Sequence, residues 1–250
     1  MYLKDQLFAV RNEFMDFTYT ISHDLGTPLR AVVNFSKLLA TQGEGTLNEK
    51  CTRYLQFVIE GGEKLQAMLT GLVHYSRLNT QGKPPETLEI GAIIGQCHAS
   101  LKEKIADCKG TIRVHGTLPG ITADPEQCFQ LFLVLVDNAL TYHAPGVAPE
   151  IHISAQDMGN AWQFSVEDNG IGIAPANAER VFEVFKRLHT DEEYPGTGMG
   201  LALARKIVGR HGGEIRIAAG KNGGTLCWFT FPKVLPETAN IPALQKASHG

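Results

Sequence analysis

Leu3, Leu7, Val10, Phe14, Phe17 and Ile21 step by 4-3-4-3-4, the spacing of a helix with an apolar a/d seam. The seam continues through Leu25, Leu29 and Val32 with a 4-4-3 step, an insertion that locally unwinds a coiled coil around Pro28. The proline lacks a backbone donor and should bend or loosen the turn before it. A second seam runs Leu47, Cys51, Tyr54, Val58, Gly62, Leu65, Leu69, Leu72, Ser76, and "TQGEGT" between the two supplies glycines for a turn. Residues 1–80 therefore read as an antiparallel helical hairpin. One hairpin leaves too much apolar surface uncovered, so the seams predict a homodimer through residues 2–79, a four-helix bundle built from two copies. The alternative is that the hairpin packs on the second half of its own chain.

From residue 79 the pattern changes. "NTQGKPPETLE" (79–89) reads as a linker, because glycine, two prolines and polar residues break the helix. "EIGAIIGQCHASLKEKIADC" looks helical, and "TIRVHGT" alternates like a strand. "PEQCFQLFLVLVDNALTYH" is apolar nearly all round, as a buried helix should be. "EIHISAQDMGNAWQFSVEDNG" predicts a hairpin about a Met-Gly-Asn turn. "ANAERVFEVF" predicts a short helix, "GLALARKIVGRHGG" a helix closed by glycine, and "EIRIAAGKNGGTLCWFTFP" a final hairpin. Residues 88–234 thus form an α+β sandwich, a sheet with helices on one face. The tail 235–250 reads as disordered.

Composition narrows the class. A net charge of -3 gives no support to a nucleic-acid or anionic-membrane partner. Five cysteines at irregular spacings, with no C-x-x-C pair, read as reduced thiols of a cytoplasmic protein. The longest apolar stretch, "LFLVLV" (131–136), is too short to span a bilayer, and "MYLKDQLF" lacks the features of a signal peptide.

Candidate chemistry sits in both halves. His23 lies two residues from Ile21 and two from Leu25, about 200° round the helix from each, so it points away from the seam. Beside Asp24, it is either an ordinary surface histidine or a proton-handling group. In the second half, "DNGIGIAP" (168–175) ends a strand with an acid and two glycines. Asp168 is placed to accept a hydrogen bond from an amino group such as that of adenine, and Gly170 and Gly172 let the backbone approach a flat ring. "YPGTGMGLALARK" (194–206) puts Gly196, Gly198 and Gly200 immediately before a helix, the pattern of a phosphate cradle. Asn138, near the end of the buried helix, can offer an amide oxygen to Mg²⁺.

Taken together, the chain resembles the catalytic portion of a sensor histidine kinase. "ISHDLGTPLR" is similar to the histidine box of that family, "LVDNALTYH" to its N box, and "DNGIGI" and "GTGMGLAL" to its two glycine boxes. "VFEVFKRLH" resembles its phenylalanine box, and "RLHTDEEYPGTGMGLALARKIVGRHGG" is especially like phytochrome-type kinases. The resemblance implies a dimeric four-helix bundle followed by an ATP-binding α+β sandwich of the GHKL (Bergerat) type. It implies that His23 accepts the γ-phosphoryl group of ATP and passes it to an aspartate of a response regulator receiver domain. Asp24 would orient the ring and take its proton, and Thr27 would position water for the reverse, phosphatase reaction. Pro28 matches the family's bend, and Gly26 stands where an arginine is common. Asn138 would hold Mg²⁺, Tyr142 would pack near the base, and Asp168 would read adenine. Gly170, Gly172, Gly196, Gly198 and Gly200 would line the pocket and lid. Phe182 and Phe185 would anchor a lid over residues 186–195, with Arg187 near the phosphates. An upstream sensor domain or protein would supply the input.

The N box departs from the family pattern twice. Val134 stands where a second polar residue is usual, and Thr141 where a lysine usually reaches the phosphates. Phosphoryl transfer depends on charge neutralisation and positioning, so both departures bear on it. The expected function is an ATP-dependent histidine autokinase. The alternative is a degenerate kinase that binds nucleotide weakly or not at all and serves as a phosphotransfer or phosphatase module or a dimeric scaffold. A different ATPase of the same fold would have no need of the hairpin bearing His23.

Overall fold

The computed structural model describes residue 22 and residues 24–78, 82–190, 193–221 and 223–234. The chain divides into two compact units that part between Arg77 and Leu78.

The first unit is the expected hairpin, α1 (residues 24–42) and α2 (Glu49–Arg77). Gly43 N–H donates to Leu39 O at 2.9 Å and Leu47 N–H to Gly43 O at 2.9 Å, which turns the chain. Asn48 then caps α2, its Oδ1 accepting from Cys51 N–H at 2.9 Å. The helix continues on both sides of Pro28.

The two helices meet along a different stripe from the one read in the sequence. Ser22 is buried just before α1, which buries Val33 and Ser36 and half-buries Gly26 and Leu29, while α2 buries Ile59, Gly62 and Ser76 and half-buries Leu55, Leu69 and Val73. A Cβ at Gly62 would collide with the Val33 side chain, so the close approach needs glycine there. Leu29, Gly62, Leu69 and Ser76 belong to both stripes. The bulkier expected positions stay outside: Leu25 is 53% exposed, Val32 50%, Tyr54 54%, Val58 45% and Leu65 46%. A 4-3 spacing fits either of two neighbouring stripes; the inner one mixes Ser22, Ser36, Gly62 and Ser76 with Val33 and Ile59, and further bulky apolar residues are left on the outer one.

The second unit runs β1 (Glu86–Glu89), α3 (Ile90–Ser100), α4 (Lys102–Cys108), β2 (Thr111–His115), β3 (Gly120–Ala123), α5 (Pro125–Thr141), β4 (Glu150–Asp157), β5 (Ala161–Asp168), α6 (Gly200–Arg210), β6 (Ile215–Ala219) and β7 (Thr225–Pro232). β1 and β3 form a small antiparallel pair, and the other strands form a sheet in the order β2-β4-β5-β7-β6. The β2–β4 pair is parallel and the rest antiparallel, so the sheet is mixed. Alternate residues turn inward: Ile151 and Ile153, Phe164 and Val166, Cys227, Phe229 and Phe231 are all buried. Phe132 of α5 meets Phe164 and Phe229 edge-on at 5.8 and 5.4 Å between centroids, which seats α5 on the sheet.

α5 starts where it does because of Asp124 and Pro125. Asp124 Oδ1 accepts from Glu126 N–H at 3.1 Å and Gln127 N–H at 3.2 Å, and proline fills the first helical position. Asp124 Oδ2 accepts from Lys83 N–H at 2.6 Å, and the Asp124 amide donates to Nε2 of the fully buried His211 at 3.1 Å. His211 Nδ1–H in turn donates to Ile207 O at 2.9 Å, fixing a neutral tautomer; burial lowers its pKa from the usual histidine value. The start of α5 and the end of α6 are thereby tied together.

Three sequence expectations need correction. The 79–89 linker ends in β1, paired non-locally with β3. The single helix read over 90–108 breaks into α3 and α4 at Leu101. The helix expected over "ANAERVFEVF" is two short 3-10 turns, Pro175–Asn177 and Arg180–Phe182, followed by Phe185 at φ 63°. The tail 235–250 lies outside the described residues.

Candidate active site

One cavity of about 330 Å³ lies between α5, the loop after β5, residues 186–189 and 195–198, and the start of α6. Its wall includes Asn138, Thr141 and Tyr142 from α5, Asp168 and Gly172 from the β5 loop, Lys186 and Arg187, and Gly196, Gly198 and Gly200.

Asp168 ends β5 with its carboxylate held by the fold. Oδ1 accepts from Gly170 N–H and Thr225 N–H, both at 2.9 Å, which leaves Oδ2 for a ligand. Burial pushes its carboxyl above the usual carboxylate range, against the opposing pull of those two amides. The loop is anchored to the end of α5 through Ile171 N–H, which donates to Tyr142 O at 3.0 Å. A Cβ at Gly170 would collide with that same carbonyl, so the close approach needs glycine. Next door, Asn169 Oδ1 accepts from Glu150 N–H at 2.8 Å and its amide donates to Ala148 O at 3.1 Å, aligning β4 with the loop.

Residues 186–189 and 195–200 close the cavity from the other side. Gly198, at φ 71°, lies against the Phe185–Lys186 backbone, where a Cβ would come within 2.7 Å of Phe185 C. Gly200 opens α6 against α5: a Cβ there would stand 3.0 Å from Val134 Cγ1 and 3.9 Å from the Asn138 amide. Arg187 Nη2 donates to Thr190 O at 3.1 Å and also to Tyr194 O, so it holds the loop's own carbonyls. Tyr194 Oη donates to His143 O at 3.0 Å, and its ring lies 5.2 Å from that of Tyr142 and 5.3 Å from that of His189. Phe182 is buried under the Arg205 guanidinium, 4.1 Å from the ring centroid, whereas Phe185 is 39% exposed.

The structure thus brings together Asn138, Tyr142, Asp168, Gly172, Arg187, Gly196, Gly198 and Gly200 around one cavity, with Gly170 behind it. His23 lies outside the described residues. Asp24 and Thr27 are exposed on α1, and Thr27 Oγ1 accepts from Arg30 at 3.1 Å. The aromatic cluster of His189 and Tyr194 with Tyr142, and the ammonium of Lys104, were not legible in the sequence. His189, Tyr194 and Tyr142 each stand in a quoted box, but their mutual packing is set by the fold, and Lys104, in none of the boxes, reaches α5 from 33 residues upstream. Among the described residues, no group of three or more His, Cys, Asp or Glu side chains could hold a metal, and no helix is long and apolar enough to cross a membrane.

Residues 15–81 match the His Kinase A (phospho-acceptor) domain, and residues 123–235 match the histidine kinase-, DNA gyrase B-, and HSP90-like ATPase domain. The chain is 36% identical over 220 residues to cyanobacterial phytochrome A of Nostoc sp. strain PCC 7120, a match covering 88% of this chain and 28% of the relative. It is 30% identical to the methanogenesis regulatory histidine kinase FilI of Methanothrix harundinacea, covering 90% of this chain and 25% of the relative. The chain therefore spans under a third of the length of these relatives. Among solved structures, full-length ShkA in complex with AMPPNP aligns with a TM-score of 0.64 at 25% identity, over 88% of this chain and 47% of that one. The catalytic domain of the histidine kinase ThkA aligns with a TM-score of 0.52 at 27% identity, over 60% of this chain and 97% of that one.

Proposed function

This chain belongs to the sensor histidine kinases, and we propose from that premise that it is an ATP-dependent histidine autokinase core, working in the cytoplasm as a homodimer. A ring nitrogen of His23 attacks the γ-phosphorus of ATP, the bond to the β-γ bridging oxygen breaks, and ADP leaves. Asp24 takes the ring proton. The phosphoryl group then passes to an aspartate of a response regulator receiver domain, and Thr27 positions water for the reverse removal. The signal reaches this core from an upstream sensor domain or protein.

The observation that carries the reading is the Asp168 carboxylate, clamped by two amides on the wall of a cavity that also presents Asn138 and a glycine-rich helix start. Asp168 reads the adenine amino group, Tyr142 packs near the base, and the glycines let backbone approach base and phosphates. Asn138 holds Mg²⁺: a cation that takes most of its ligands from phosphates and water needs only one or two oxygens from the protein. When bound, Mg²⁺ neutralises phosphate charge during transfer. The neighbour crystallised with AMPPNP supports ATP as the nucleotide.

One feature favours the second reading, a degenerate kinase retaining phosphotransfer, phosphatase or scaffold roles. Val134 faces Gly200 with an apolar side chain beside Asn138, so the wall offers no second polar group at that position. A calorimetric titration with Mg-ATP separates the two. A saturable isotherm abolished by Asn138→Ala is expected of the autokinase, and a flat titration of the unsubstituted chain would leave the degenerate reading standing.

A further inference from the structure

The α5 wall of the cavity carries an anion and no cation of its own. Asp137, Asn138, Thr141 and Tyr142 all line it, and a nucleotide bound there brings several negative charges toward the Asp137 side. On the opposite side Lys186 lines the cavity, while Arg187 is engaged by the carbonyls of Thr190 and Tyr194. The α5 wall receives its cation from another element. Lys104, on α4, extends its Nζ to 2.5 Å from Asp137 Oδ1, 2.6 Å from Thr141 Oγ1 and 3.3 Å from Asp137 O. The Thr141 hydroxyl donates to Asp137 O at 2.7 Å, so it presents its lone pairs to the ammonium. Lys104 is thereby held at position 141, the position in the N box where the sequence pattern lacks its lysine.

We infer that Lys104 is a positioning residue for the nucleotide phosphates, supplying from α4 the positive charge that Thr141 does not. The inference rests on the nucleotide reading above. Its chemistry is electrostatic: the ammonium cancels the Asp137 charge that would otherwise repel the phosphates. It touches two residues of the cavity wall, Asp137 and Thr141, from behind, on a flexible stem that can exchange Asp137 for a phosphate oxygen. A lysine on another helix serves as well as one on α5, because a point charge acts through distance and not through its place in the chain.

The competing role is a plain pin between α4 and α5, and a comparison of ligands separates the two. ATP and adenosine share the base and ribose but differ in the phosphates. Titrating the whole chain with each, Lys104→Gln should weaken ATP about tenfold and leave adenosine unchanged. Lys104→Arg should retain ATP affinity. Lys104→Gln combined with Thr141→Lys should restore it, because the charge returns to the same place. Equal losses for ATP and adenosine, or ATP affinity untouched by Lys104→Gln, would overturn the inference while leaving the nucleotide site intact. Failure of the unsubstituted chain to bind either ligand would overturn the nucleotide reading itself, and the role of Lys104 with it.

Discussion

Asp168, which we propose reads the adenine amino group, is held by the fold at a cost. Its folded-state pKa is raised by burial, so between the unfolded and folded values the folded chain holds more protons than the unfolded one. Stability therefore falls as pH rises through that window, and at neutral pH the ionised carboxylate is a standing cost. Asp168→Asn keeps an oxygen for the amides of Gly170 and Thr225 but removes the charge and places an NH₂ where the ligand's amino group would donate. The thermal midpoint of the ligand-free protein should rise by about 2–4 °C while ATP affinity falls about 100-fold. A variant that loses stability and keeps ATP affinity would contradict the assignment. The place of Asp168 at the end of a strand on the cavity wall was legible in the sequence, from an acid followed by two close glycines. The contact of Lys104 with α5 was not, because it joins α4 to α5 across a distance that no local pattern records.

At the scale of elements, legibility followed how local the determinants are. α5 could be read from the nearly all-round apolar run that begins at Pro125, and the β4–β5 and β6–β7 hairpins from alternation about short turns. β1 and β3 could not, since each is four residues long and depends on the other across the intervening helices. The segment after Pro175 misled because Val181 and Phe182 have helical spacing to their neighbours, yet they reach the core through 3-10 turns. The hairpin was read correctly as a hairpin, but the helices meet along a stripe next to the seam read in the sequence. The stripe of Val33, Ile59 and Gly62 joins α1 to α2, and the outer stripe keeps Val32, Val58 and Leu65 near half exposed. A helix pair with a bulky apolar outer stripe is half of a four-helix bundle, which is the basis for proposing the homodimer. Val58→Glu with Leu65→Glu should convert the dimer to a monomer in sedimentation equilibrium while the helical circular dichroism of the ATPase unit persists. A monomeric unsubstituted chain at micromolar concentration would rule the bundle out.

At the scale of the whole molecule, the chain holds two units with separate duties. A helical hairpin belongs to the phospho-acceptor domain, and a mixed sheet with its helices builds the nucleotide cavity. The order of the units and the kind of each were legible, because the heptad spacing of the first and the glycine boxes of the second are written locally. What the sequence could not supply is whether Val134 and Thr141 disable the cavity, since that turns on charges delivered from other elements. The most direct test of the account is phosphorylation itself. The purified chain, incubated with γ-labelled ATP and Mg²⁺, should acquire an acid-labile, base-stable label that is absent from His23→Ala and from Asn138→Ala. A label that survives His23→Ala, or no label on a chain that binds Mg-ATP, would contradict the autokinase.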